Sequence, residues 1–199
     1  MSLRPLFAAM LLAGLAMPAG AQMMQSESYK FLQAVKDAKG NEVTDMLGRP
    51  GSNIINTRDV TTGEGALHIV IKRGDETYLR YLLQKGADPN MRDGRGNTPL
   101  LLAVAAGQPE LIRILAAAKA NPNLANAAGE TPLIRAVQRH DIVMVRELLA
   151  AGGDPDQADN IAGLSAREYA TQDTRNTAIA KLFAETPKKT RAAVAGPKF

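Results

Sequence analysis

The chain has no cysteine, no tryptophan and only two histidines, His68 and His140. Each shortage closes a class of function or a source of stability. Without cysteine there is no disulfide, no thiolate nucleophile and no lipid-modified N-terminal cysteine, so the core carries stability by itself. Aromatic residues make up 4% of the chain, which fits a core of Leu, Ile, Val and Ala interlocking between short helices. Long apolar runs are also missing. The stretch from Leu6 to Met17 gives 12 residues before Pro18, against about 20 for a membrane-spanning helix. No acidic residue follows Glu185.

The sequence begins with a charged MSLR, an apolar LFAAMLLAGLAM and small residues at Ala19 to Ala21. That order reads as a secretory signal peptide over 1–21, and the short core makes an uncleaved anchor the poorer reading. The mature chain is expected to begin at Gln22, with a short linker over 22–27 and a periplasmic, or secreted, location. The single Arg4 supplies no twin-arginine signal.

The formal net charge is +4, but Arg4 falls in the leader and Lys188, Lys189, Arg191 and Lys198 fall in the tail, which leaves the remainder at −1. A nucleic-acid-binding domain carries its excess of positive charge on the fold. Nucleic acid is therefore not an expected partner, and neither is stable membrane insertion. Residues 186–199 have no apolar period and read as a basic disordered tail. That tail is either simply solvated or in contact with an anionic membrane surface, at about 1 kcal/mol per basic residue.

Between these ends the chain repeats itself. Gly63, Gly96 and Gly129 are 33 residues apart, and the same step relates Gly86, Lys119 and Gly152. Within the central copy Thr98 is placed to cap a helix and Pro99 sits at its first position, where a missing N–H costs nothing. Leu100, Ala103 and Val104 build one apolar face, and Gly107 is able to end the helix in the left-handed conformation. Pro109 opens a second helix with Ile112 and Leu115 as its buried stripe, and the run from Ala118 to Asn123 turns out to the next copy. Helices of about ten residues are too short to be stable alone. Only stacking on neighbouring copies buries their faces, so the repeat requires a solenoid.

The motifs EGALHIV at Glu64, NTPLLLA at Asn97 and ETPLIRA at Glu130, each followed by GADPN, KANPN or GGDPD, resemble the ankyrin repeat. The resemblance covers about residues 28–185 and implies an all-α fold, an ankyrin-type solenoid of five helix-turn-helix units with β-turn connections. The units are expected at 28–57, 58–90, 91–123, 124–156 and 157–185. The first is degenerate, with Phe31, Ala34, Val43, Met46 and Leu47 standing where Leu100, Ala103, Ile112, Leu115 and Ala116 stand in the central copy. It reads as an N-terminal cap, joined to the second unit by a longer loop. In the fifth, Ser165, Ala166 and Ala170 match Thr131, Pro132 and Ala136 after a one-residue insertion.

Little here suggests catalysis. His68 holds a position where, in the family, the ring bonds to neighbouring turns, so it reads as structural. His140 replaces a helix-ending glycine about 20 Å from His68 at the usual helix spacing, too far to share a metal. Asp88, Asp154 and Asp159 recur because the turns recur, and calcium needs six or more converging oxygens. No cofactor and no metal are expected. The resemblance implies a non-catalytic module that binds another protein; the chain is expected to be a monomer, and Lys72, Arg73, Arg95 and Arg139, which make the carried-over face mildly basic, point to an acidic partner. Carried over by register, its partner-binding positions are Glu64, Lys72 and Arg73 in the second unit, Arg95 and Asn97 in the third, Glu130, Gln138 and Arg139 in the fourth, and Asn160 and Ile161 in the fifth. Two alternatives stay open, a secreted effector and an accessory that protects a periplasmic enzyme, and so does the reading that these residues merely keep the concave face soluble.

Overall fold

The computed structural model describes residues 26–187. The expected leader, the expected mature terminus at Gln22 and all but two residues of the expected tail lie outside that range. Among the described residues there are ten α-helices in five successive pairs and no strand. The pairs are α1 (Glu27–Lys36) with α2 (Gly40–Leu47), α3 (Ala66–Arg73) with α4 (Glu76–Gln84), α5 (Pro99–Ala106) with α6 (Pro109–Ala117), α7 (Pro132–Gln138) with α8 (Ile142–Ala150), and α9 (Ala166–Gln172) with α10 (Thr177–Glu185). This is the all-α solenoid that the repeat required.

Helix starts follow from short polar side chains. The Thr98 hydroxyl accepts from the Leu101 N–H at 3.2 Å and Thr131 does the same for Ile134 at 3.2 Å. Such caps contribute about 1 kcal/mol each. Ser165 and Glu168 form a capping box, with Glu168 reaching back to the Ser165 N–H at 2.8 Å. Asp75 and Asp141 cap α4 and α8. The first four of the first helices end in a left-handed residue at one recurring place, occupied by Gly74 and Gly107 but also by Ala38 and His140, both at φ 57°; the fifth ends at Asp173 in an extended conformation.

The first helices of successive units pack in one row, and α4, α6, α8 and α10 pack in a second. A continuous core runs between the rows. Leu100, Ile112 and Leu115 are wholly buried in it, as expected. The degenerate first unit keeps its register: Phe31, Ala34, Val43 and Met46 are buried and Leu47 packs against them half-buried. The loop joining it to the second unit carries a 3-10 turn at Ile54–Asn56, whose Ile54 anchors it to the core.

The last unit is held by two polar devices. Arg167 pairs with Asp156 at 2.7 Å, donates to the carbonyls of Phe183 and Thr186, and lies 5.8 Å over the Phe183 ring. His140 Nδ1 lies 2.7 Å from Asn176 Oδ1, and the buried Asn176 donates to the Val137 carbonyl at 3.4 Å, which joins α10 to the fourth unit. Among the described residues no helix is long and apolar enough to cross a membrane.

Candidate functional site

Each of the last four units is preceded by a turn that projects as a finger, over residues 59–63, 93–96, 126–129 and 159–163. A finger opens with Asp or Asn, whose side-chain oxygen accepts N–H groups of its own turn. Asp93 Oδ1 takes Arg95 and Asn97 at 2.8 Å each, and Asp159 Oδ1 takes Ile161, Ala162 and Gly163 at 2.7 to 3.1 Å. Burial works against the charged form of both carboxyls, and the hydrogen bonds outweigh it, so both titrate below the usual aspartate value. The Tyr169 hydroxyl donates to Asp159 Oδ2 at 2.6 Å, which pushes its own pKa up to about 12.

Fingers also bond to one another. Gly94 N–H donates to the Thr62 carbonyl at 2.8 Å, Ala127 to Arg95 at 3.1 Å and Asn160 to Ala128 at 3.0 Å. Gly96, at φ 80°, closes its finger against the next one, and a Cβ there would sit 2.8 Å from Ala127 N. Only glycine satisfies both the left-handed backbone and that contact.

His68 is wholly buried between the second and third units. The Gly65 N–H donates to its Nδ1 at 3.1 Å, and its Nε2 faces the Asn97 carbonyl at 3.1 Å. These partners fix a neutral ring protonated at Nε2, and burial lowers its pKa. The imidazole accepts the N–H that precedes its own helix, as Glu168 does for Ser165, and is structural, as the resemblance implied. The network continues: Asn126 donates to Asn97 Oδ1 at 3.2 Å and to Glu130 at 3.1 Å, and Arg135 completes it on Glu130 at 2.6 Å.

Of the residues expected to meet a partner, folding engages several. Glu64 and Lys72 form an ion pair. Arg73 donates to the Val35 carbonyl at 2.8 Å, pairs with Asp75 at 3.1 Å and lies 5.3 Å over Tyr78. Arg139 reaches back to the Ala105 carbonyl at 3.0 Å. Both arginines thus join the end of one first helix to the end of the preceding one, a role that spacing alone did not reveal. Asn97 and Glu130 belong to the His68 network. Asn160 lies across Gly129, whose Cβ position is 2.6 Å from Asn160 Cγ. Arg95 and Gln138 are exposed, and their side chains bond to nothing among the described residues; Ile161 is 81% exposed at the last finger. Among the described residues no group of three or more metal-ligating side chains converges.

Comparison with known proteins agrees with this geometry. A family model for ankyrin repeats in three copies matches residues 31–126, and one for the single ankyrin repeat matches residues 128–160. Neurogenic locus notch homolog protein 1 of Xenopus laevis is 39% identical over 71 residues, 36% of this chain and 3% of that protein. A putative ankyrin repeat protein of fowlpox virus is 34% identical over 79 residues, 40% of this chain and 41% of its own. A putative ankyrin repeat-containing protein of Treponema pallidum is 34% identical over 85 residues, 37% of this chain and 28% of its own. The chain spans less than half the length of each of these relatives. The fifth helix pair lies beyond the matched residues and rests on the structure.

Proposed function

This chain belongs to the ankyrin repeat family, and from that premise we propose that it is an exported, non-catalytic module that binds a periplasmic protein along its fingers and the adjoining ends of its first helices. Ankyrin repeats are protein-protein interaction modules. The observation that carries the placement is the division of side chains on this face. Arg73 and Asn97 are engaged across units and Glu130 within its own, whereas Arg95 and Gln138 are presented without a partner among the described residues, on fingers and helices that are locked to one another. A rigid, preorganised surface loses little entropy on binding.

The unpaired Arg95, with the exposed end of Arg139 one unit on, favours an acidic partner. Complementary charge acts mainly on association rate and partner choice, while central desolvated contacts dominate affinity. The leader-like N-terminus supports export, and the protein acts as a monomer in this reading.

Affinity capture by the mature protein from a periplasmic extract tests it. Arg95→Glu is expected to weaken capture and reduce its salt sensitivity, with helical content unchanged. Arg80→Glu, an exposed and unpaired arginine on α4, is expected to leave capture intact. The opposite pattern would place the partner on the second helices. Fractionation of culture supernatant separates the periplasmic reading from a secreted effector.

A further inference from the structure

The ladder of fingers has one open place. Gly94, Ala127 and Asn160 each follow the residue that opens their finger, and each donates its N–H to the finger before. Val60 holds the same place in the first finger, after Asp59, and its N–H donates to nothing among the described residues. Its side chain is 75% exposed, and Tyr29 on α1 is the other large apolar residue left partly bare at this corner, at 37%. A hollow of about 50 Å³ lies there, lined by both of them and by Leu32, Asp59 and Ser26. It has room for one side chain of a segment already held nearby, and is far below the roughly 300 Å³ at which sites for free small molecules begin.

Charge at the corner is of both signs. Asp59 and Glu64 line it together with Arg58 and Lys36, and hydrogen bonds from the Thr62 and Thr61 N–H groups, with Lys36 facing the carboxylate, hold Asp59 below the usual aspartate value. Such a corner selects no charged ligand from outside.

Connectivity does select an occupant. Ser26, which lines the hollow, caps α1, its hydroxyl accepting from the Tyr29 N–H at 3.1 Å. In the later units the glycine that closes a finger stands two residues before the cap, Gly96 before Thr98 and Gly129 before Thr131. The carbonyl that accepts from the next finger belongs to the residue before that glycine, as in Thr62, Arg95 and Ala128. Counted back from Ser26, the place of the glycine falls on Met24 and the accepting carbonyl on Met23. A Cβ at Gly63 or Gly129 would lie 2.5 Å from the next finger's backbone nitrogen, so Met24 excludes a closed turn, and with no earlier finger to meet, none is needed. The segment from Gln22 to Gln25 has no charged side chain and spans roughly 13 Å when extended. Methionine is unbranched and polarisable, which suits an irregular hollow beside an aromatic ring.

We propose that residues 22–25 cross this corner as an extended half-finger that completes the ladder. The Met23 carbonyl accepts the Val60 N–H, and the Met24 side chain lies over Tyr29 and Val60. The proposal needs neither export nor a partner, because these residues precede Ser26 in the full chain as they do after cleavage at Ala21. With the first finger closed off in this way, the face left to a partner begins at the second, where Arg95 stands.

The test is NMR on isotope-labelled protein beginning at Gln22, compared with a double variant, Met23→Gly with Met24→Gly, and with Val60→Ser. The Met24 methyl group is expected to show contacts with the Tyr29 ring and the Val60 methyl groups. The Val60 amide is expected to exchange with solvent at least tenfold more slowly than in the double variant. Val60→Ser is expected to remove the contacts to the first finger while helical content holds. A Val60 amide that exchanges equally fast in both proteins, or a Met24 methyl group without contact to α1 or the first finger, would overturn the half-finger. Contacts seen only between differently labelled copies would overturn it too, by assigning the corner to a second copy. None of these outcomes bears on capture through Arg95, so the two readings fail separately.

Discussion

Substituting Gly96 by alanine isolates the contact that makes the fingers one surface. Gly96 has φ 80°, and holding an L-residue in the left-handed region costs about 1–2 kcal/mol. The added Cβ would also lie 2.8 Å from Ala127 N and 3.2 Å from Asn126 C. Finger 126–129 must then move away, and the Ala127 to Arg95 hydrogen bond of 3.1 Å goes with it, at about 1 kcal/mol. Together these give a loss of roughly 2–3 kcal/mol. Gly86 supplies the control, because it too is left-handed, at φ 89°, with nothing within 4 Å of its Cβ position. Gly86→Ala should cost only the conformational part, in line with the lysine tolerated at the equivalent Lys119, φ 62°. Urea denaturation reads the difference as a midpoint shift at constant slope. Equal losses for the two variants would mean that finger stacking contributes nothing.

Leu115→Ala, at a wholly buried position between units, is expected to cost about 2–5 kcal/mol in the same assay; an unmoved midpoint would break the register. His68 has a pKa lowered on folding from 6.5, so below that value the unfolded chain takes up a proton that the folded chain refuses. Stability should be complete above pH 6.5 and decline as pH falls below it, and His68→Gln should flatten that decline in denaturation measured from pH 7.5 to 5. Arg139→Glu, unlike Arg95→Glu, breaks a bond between units and should lower the melting temperature, as a paired thermal scan would show. Intact mass of the exported protein should place its first residue at Gln22; recovery of the full chain with Met1 in the inner membrane would contradict cleavage of the leader.

Much of the fold was legible because the signals are local and recur. Thr98, Pro99 and Gly107 mark the limits of one helix, and a step of 33 residues carries those marks to its neighbours. The degenerate first unit was placed by apolar period alone, and Phe31 and Val43 are wholly buried there. What escaped depends on side chains meeting across units, which no period encodes. By register Arg73 and Arg139 read as partner-binding positions, yet long side chains at the ends of first helices find the open carbonyls of the preceding helix first. His140 and Asn176 meet at 2.7 Å across 36 positions, and nothing in either neighbourhood announces it.

Hydrogen-deuterium exchange on the complex recovered from periplasmic extract tests most directly whether the fingers hold the partner. Protection is expected over residues 93–97, 126–130 and 159–163 and at the end of α7 around Gln138, with exchange on α4, α6 and α8 unchanged. Protection confined to α4, α6 and α8, with the fingers exchanging as in the free protein, would contradict it.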